Sequence, residues 1–308
     1  MTVRIRGRRV GAVALAGLAA LSMAACGSGP GGGDPSNRKL TVVTSTSVWA
    51  SVAQEIGGDA VQVDAIITDP SADPHSYEST PGDAAKVASA DLVVFNGGGY
   101  DEFMEKNLSS AGSDRPTVKA VDGEHEKAEP GHDHSVNEHV WYDLHAVHEV
   151  ADKIADELSR LQPQNAGKFH QAAEKFGADL GGLQAHVDQI AAANQGKKVI
   201  VTEPVAHYLV EAAKLTDITP QSFVNAVEAE NDPPAAAVAE IQTVVDSRQA
   251  SAVIFNPQTE TPVTQQVKTK AQQNQTPVVE MRETLPQGRT YLQWMNEQIN
   301  ALDAALKH

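Results

Sequence analysis

The sequence predicts a two-lobed α/β protein in which each lobe is a parallel sheet of about four strands with flanking helices, and one long rigid helix joins the lobes. Three observations predict it. Short runs rich in Val, Ile and Ala alternate with amphipathic stretches of helical period, as βαβ units do. That alternation occurs twice, over residues 39–164 and again over 196–308. Between the two lies an unbroken helical pattern over residues 165–195.

In the first half, residues 40–43, 61–67, 91–95 and 117–121 read as strands, and 48–56 and 81–89 as helices. Residues 143–161 follow as a helix with Val147, Val150, Ile154 and Leu158 on one stripe, ended by Pro163. The central pattern places Phe169, Ala172, Phe176, Leu180, Leu183, His186 and Ile190 at helical spacing. At ~1.5 Å per residue such a helix spans about 45 Å, enough to run along both lobes. The same periodicity also suits a helix packed inside one domain. In the second half, residues 198–202, 222–224, 252–255 and 277–279 read as strands. Helices are expected over 204–215, from the Pro233-Pro234 pair to 246, over 263–274 and over 291–306. Aromatic residues are only 5% of the chain, so the cores must be built from aliphatic side chains.

The N-terminus stands apart from this pattern. Arg4, Arg6, Arg8 and Arg9 precede an apolar run over 10–23 that is too short to span a bilayer, as in the core of a signal peptide. Arg8-Arg9 also gives weak support to a twin-arginine export signal. Ala24 and Ala25 supply the small residues of a cleavage site, and Cys26 follows at once. Cys26 is the one cysteine, which rules out an internal disulfide, and a glycine-rich spacer succeeds it. This resembles the lipobox of bacterial lipoproteins, with Met23 where leucine is most usual. Residues 1–25 are then a signal peptide, and 26–38 are a lipidated cysteine with its linker. Removing 1–25 takes away four arginines and no acids, so the formal charge moves from -16 to -20. A surface this acidic repels phosphate backbones and argues against nucleic-acid binding.

In open α/β sheets ligands bind beyond the carboxyl ends of the strands. Four such places carry metal-ligating side chains: Asp73-Pro74-His75-Ser76-Tyr77-Glu78, Asn137-Glu138-His139-Val140-Trp141, Glu203 and Glu283. Each alone is weak; Glu203, before Pro204, could be only a helix cap. Their joint placement at strand ends of both halves carries the argument. His145, His148, His170, His186 and His207 lie inside helical patterns and read as surface or packing residues.

The Asp-Pro-His-x-Tyr-Glu motif at 73–78 and the Asn-x-His-x-Trp motif at 137–141 resemble those of the metal-binding receptors of zinc and manganese ABC transporters. So do Val-Thr-Glu at 201–203, the long central helix and Tyr-x-x-Trp-Met at 291–295. The resemblance implies a lipid-anchored receptor on the extracytoplasmic face of the membrane, expected to be a monomer. It would deliver its ion to an ABC permease driven by a cytoplasmic ATPase. It further implies a site of His75, His139, Glu203 and a fourth carboxylate. That position is usually Asp; here Glu283 is the choice and Glu280 the alternative. Zinc or manganese would be transported ligand rather than resident cofactor, and both suit imidazole and carboxylate donors. Two carboxylates also balance a dipositive charge. Tyr77, Glu78 and Asn137 either orient the histidines or merely cap their loops.

Zinc-type members of this family carry a His- and acid-rich loop. His125, His132 and His134, in the polar stretch 124–134, are candidates for loose metal capture, and equally for a solvated acidic loop. These histidines tilt the expectation towards zinc and Glu203 tilts it towards manganese; the affinity order also favours zinc, which is slightly preferred. A zinc hydrolase is the competing reading, but it needs an open coordination position, and neither His-Glu-x-x-His nor Gly-x-Ser-x-Gly is present. No motif supports a surface adhesin, which the resemblance also allows.

Overall fold

The computed structural model describes residues 38–112, 115–121, 137–228 and 231–307. Two four-stranded parallel sheets share one strand order. The first contains β1 (Leu40–Thr46), β2 (Val61–Ile67), β3 (Leu92–Gly97) and β4 (Thr117–Val121) in the order β2-β1-β3-β4. The second contains β5 (Lys198–Val201), β6 (Thr216–Asp217), β7 (Ala252–Phe255) and β8 (Val278–Glu280) in the order β6-β5-β7-β8. Val42 is registered between Val63 and Leu92, and Val199 between Asp217 and Ala252.

Parallel sheets bury both faces, which is why their central strands are nearly continuous aliphatic runs. Alternate residues then enter different cores. Val42, Leu92 and Val94 face the central core, while Val43, Val93 and Phe95 face an outer one under α2 (Pro81–Ser89) and α3 (Glu102–Ser110). In the second sheet Val199, Val201 and Ile254 face the centre. Ile200 and Val253 face Phe223, Ile241 and Val245 of α7 (Gln221–Glu228) and α8 (Ala235–Asp246).

The central core holds the molecule together. It is lined by α1 (Ser47–Gly57), α4 (Leu144–Leu161), α5 (Ala166–Asn194), α6 (His207–Ala212) and α10 (Tyr291–Leu306), and it contains strand residues of both sheets. Along α5, Phe169, Ala173, Phe176, Leu180, Val187 and Ile190 are all buried. The remaining helix, α9 (Pro262–Gln273), packs on the second sheet. Thr80, Thr261 and Thr290 close capping boxes on α2, α9 and α10, and Asp143 caps α4.

Four local expectations change. The segment 222–224 is not a strand but part of α7, where Phe223, Val224 and Val227 follow helical spacing. The edge strand is instead the two-residue β6, in which Thr216 pairs with Lys198. The helix expected over 204–215 is a 3-10 turn, Pro204–Ala206, followed by a short α6, with Lys214 already at φ 55°. Pro234 is extended (ψ 152°) and sits before α8 rather than inside it. Helix α3 adds to the expected elements, with Phe103, Met104 and Leu108 packed in the outer core.

Candidate metal centre

All four nominated side chains stand beyond strand ends. His75 lies on the loop from β2 to α2, and His139 just before the 3-10 turn Val140–Tyr142 that leads into α4. Glu203 follows β5 and Glu283 follows β8. One ligand atom from each lies within 4.8 Å of all the others. The rings of His75 and His139 are 5.9 Å apart, and His75 Nε2 is 3.6 Å from Glu283 Oε2. His139, Glu203 and Glu283 are buried, whereas the His75 side chain keeps 20% of its exposure.

The hydrogen bonds fix which atom of the His139 ring turns inward. Asn137 Nδ2 donates to the Pro204 carbonyl at 3.1 Å, so Asn137 Oδ1 is the acceptor. That oxygen accepts from the His139 backbone N–H at 2.9 Å and lies 3.0 Å from His139 Nδ1. The Nδ1 must therefore carry the proton, which leaves a lone pair on Nε2. His139 Nε2, His75 Nε2 and Glu283 Oε2 are buried and find no hydrogen-bond partner among the described residues. Leaving such atoms unsatisfied is costly, and a bound cation would satisfy all three.

The carboxylates are held from the other side. Asn256 Nδ2 donates to Glu203 Oε2 at 2.5 Å and to Glu283 Oε1 at 2.7 Å, and the Thr259 hydroxyl also donates to Glu203 Oε2. The Glu283 N–H donates to Gln258 Oε1 at 2.7 Å. Burial raises the pKa of Glu203, and burial followed by the neighbouring Glu203 charge raises that of Glu283 well above the ordinary value. Burial, then the nearby His75, depresses His139 well below its ordinary value and keeps it neutral. Two imidazoles facing two carboxylates offer the donors and the counter-charge that M2+ needs.

Tyr100 completes the wall, with its ring 4.9 Å edge-on from His75 and 4.8 Å from Trp141. It is delivered by Gly97, Gly98 and Gly99, all at positive φ. A Cβ on Gly97 would come within 2.8 Å of the Val121 carbonyl, so only glycine makes this turn. Asp101 fastens it by accepting from the N–H groups of Asn96 (2.7 Å) and Gly97 (2.8 Å), while burial lifts its own pKa to about 6.

Other nominated residues lie elsewhere. Glu280 pairs with Lys268 at 3.0 Å and Arg282 at 3.2 Å, away from the cluster. The Tyr77 hydroxyl donates to Asp83 at 2.9 Å, which supports the start of α2, and Glu78 is exposed. His145, His148, His170 and His207 each stand near a carboxylate on the helical surface, and His186 lies 3.7 Å from Asp303. Cys26, His125, His132 and His134 lie outside the described residues. Asn256, Gln258, Thr259 and Tyr100 were not singled out from the sequence. The strand-end rule points to them, because they follow β7 and β3, but none is a common metal ligand.

Residues 42–305 match the sequence model of the family described as zinc-uptake complex component A, periplasmic. The chain belongs to that family. Among its curated relatives, the manganese-binding lipoprotein MntA of Bacillus subtilis is 28% identical over 174 residues, 56% of each chain. The zinc-binding lipoprotein AdcA of Streptococcus pneumoniae is 25% identical over 256 residues, 78% of this chain and 49% of the relative. The chain spans between 49% and 65% of the length of the curated relatives it matches. The structure of the periplasmic zinc-binding protein TroA from Treponema pallidum superposes with a TM-score of 0.71 at 20% identity, covering 87% of this chain and 99% of that one. That likeness establishes the family's fold for this chain: two parallel sheets with a long helix between the lobes.

Proposed function

We propose that the chain is the solute-binding receptor of an ABC importer and that it captures one divalent transition-metal ion, zinc or manganese. The ligands are Nε2 of His75, Nε2 of His139 and one carboxylate oxygen each from Glu203 and Glu283. The observation that carries this reading is the convergence of four donor atoms within 4.8 Å, three of them buried and otherwise unsatisfied. Two negative carboxylates and two neutral imidazoles leave no net charge once M2+ is bound. The names of the relatives, manganese-binding and zinc-binding lipoproteins of transporters, support the same reading.

Cys26 is the lipidation site, which places the receptor on the extracytoplasmic face of the membrane beside its permease, with the ATPase on the cytoplasmic side. The function is capture rather than turnover. Four protein ligands fill a tetrahedral sphere, whereas a hydrolytic zinc keeps one position for water. The test is metal content after purification without added metal, followed by competition titration against chelators of known affinity. One equivalent of tightly held zinc or manganese, lost on substituting His75, His139, Glu203 or Glu283 by Ala, is expected. Undiminished binding in all four variants would overturn the assignment.

A further inference from the structure

The loop after β7, residues 256–259, provides no metal ligand, yet it touches both carboxylate ligands. Asn256 is 1% exposed. Its Oδ1 accepts from the Gln258 N–H at 3.0 Å, so its Nδ2 must be the atom facing the two glutamates. An amide nitrogen carries two hydrogens, and both are spent here: one on Glu203 Oε2 at 2.5 Å, the other on Glu283 Oε1 at 2.7 Å. Thr259 adds a second donor to the same Glu203 oxygen. Gln258 locks the arrangement, accepting from the Glu283 N–H at 2.7 Å and donating to Thr284 Oγ1 at 3.0 Å and to the Ala72 carbonyl of the other lobe at 2.9 Å.

A carboxylate can bind a metal through one oxygen or through both. In this site one oxygen of each glutamate is already committed to Asn256. Glu203 offers Oε1, and Glu283 offers Oε2, the oxygen that lies 3.6 Å from His75 Nε2. Glu203 Oε2 is saturated by two donors and Glu283 Oε1 is turned towards Asn256, which favours four donors, two nitrogens and two oxygens. Zinc is satisfied by four ligands in a tetrahedron. Manganese favours oxygen-rich, higher coordination, which chelating carboxylates would supply.

We propose that Asn256 is a specificity-determining positioning residue: by holding one oxygen of Glu203 and one of Glu283, it makes both carboxylates monodentate and tunes the site for zinc over manganese. This rests on the metal-receptor reading above. Asn256 touches the ligands and not the ion, so it acts through geometry and leaves the set of donor residues unchanged.

The experiment compares wild type with Asn256→Ala and Thr259→Val, each loaded with zinc, manganese or cobalt(II). Cobalt reports coordination number, since a tetrahedral site gives intense visible d–d bands and a five- or six-coordinate site gives weak ones. Wild type is expected to show the tetrahedral spectrum. Asn256→Ala should lose it and bind zinc about 10–100-fold more weakly, the usual effect of removing a group that supports a ligand. Its manganese affinity should fall less, so the zinc-to-manganese ratio drops. Thr259→Val removes one of two donors to Glu203 Oε2 and none to Glu283, so its loss of zinc affinity should be smaller than that of Asn256→Ala. A five- or six-coordinate spectrum in wild type would overturn the proposal without any variant. So would an Asn256→Ala protein that keeps both the tetrahedral bands and the metal ratio. If wild type took up no metal at all, the receptor reading itself would fail. A folded protein that binds one ion with the wrong geometry would sink the Asn256 inference alone.

Discussion

The N-terminal lobe contributes two imidazoles from irregular segments, His75 midway between β2 and α2 and His139 at the threshold of α4. The C-terminal lobe contributes two carboxylates within a few residues of β5 and β8, tied to each other through Asn256. The strand order is the same in both lobes, so topology alone does not set the chemistry. Neutral ligands tolerate looser support, and His75 keeps partial exposure. Two buried carboxyls that resist ionising together have to be held by donors before the ion arrives, because each raises the cost of ionising the other.

If this division of labour holds, the largest effect will come from Glu283. Glu283→Gln should weaken zinc binding by about 100-fold or more, a loss of roughly a quarter of the 10–16 kcal/mol that four ligands deliver in structural zinc sites. The same variant should melt about 2 °C or more above the metal-free wild type, since it removes one of two repelling carboxylates. A metal-free protein that is not stabilised would break the picture of charges held under mutual repulsion.

Titration sharpens the same contrast. Glu203 and Glu283 have pKa values raised above their unfolded ones, so the metal-free fold binds extra protons. Its stability from these groups is therefore greatest below the unfolded carboxylate pKa and is lost as pH rises through the raised values. His139 works in the opposite sense. Its depressed pKa means the fold loses stability as pH falls through the unfolded histidine value. Metal binding needs all of these groups deprotonated and should release protons. The gap in melting temperature between metal-loaded and metal-free protein should widen from acid to neutral pH, as thermal scans in a pH series will show. A constant gap would count against carboxylate ligation.

On the histidine side, Asn137→Ala should cost about 10-fold in affinity by freeing the His139 ring, less than loss of a carboxylate. His139→Ala should also lower the melting temperature of the metal-free protein, because it empties a buried site. His75→Ala, on a partly exposed loop, should not. The smallest effect belongs to Tyr77→Phe. It removes a hydrogen bond to Asp83 worth about 0.5–1.5 kcal/mol of stability and should leave metal affinity unchanged. A shift in affinity would mean that Tyr77 orients His75 after all.

Much of the fold was legible because buried parallel strands are short aliphatic runs and the long helix repeats its apolar stripe. The failures have physical causes. Phe223 and Val224 sit side by side in both a strand and a helix pattern, and only the core under α8 selects the helix. The edge strand Thr216–Asp217 is exposed and polar, so it carries no hydrophobic signal. In the site, the ligands were legible because His and Glu have recognisable metal chemistry. Asn256 and Tyr100 were not, because an amide and a phenol gain their role only from the neighbours that the fold provides. Glu280 and Glu283 could not be separated by type. Lys268 and Arg282 capture the first, and the register beyond β8 buries the second.

Because α5 threads a single apolar interior through both halves, the molecule cannot gape like a hinged shell. Spreading it wide would wet Phe169, Phe176, Leu180 and their neighbours at about 1.5–3 kcal/mol for each such side chain. Whatever loosens the site has to act locally, at the partly exposed stretch around His75, against carboxylates that Asn256 ties together.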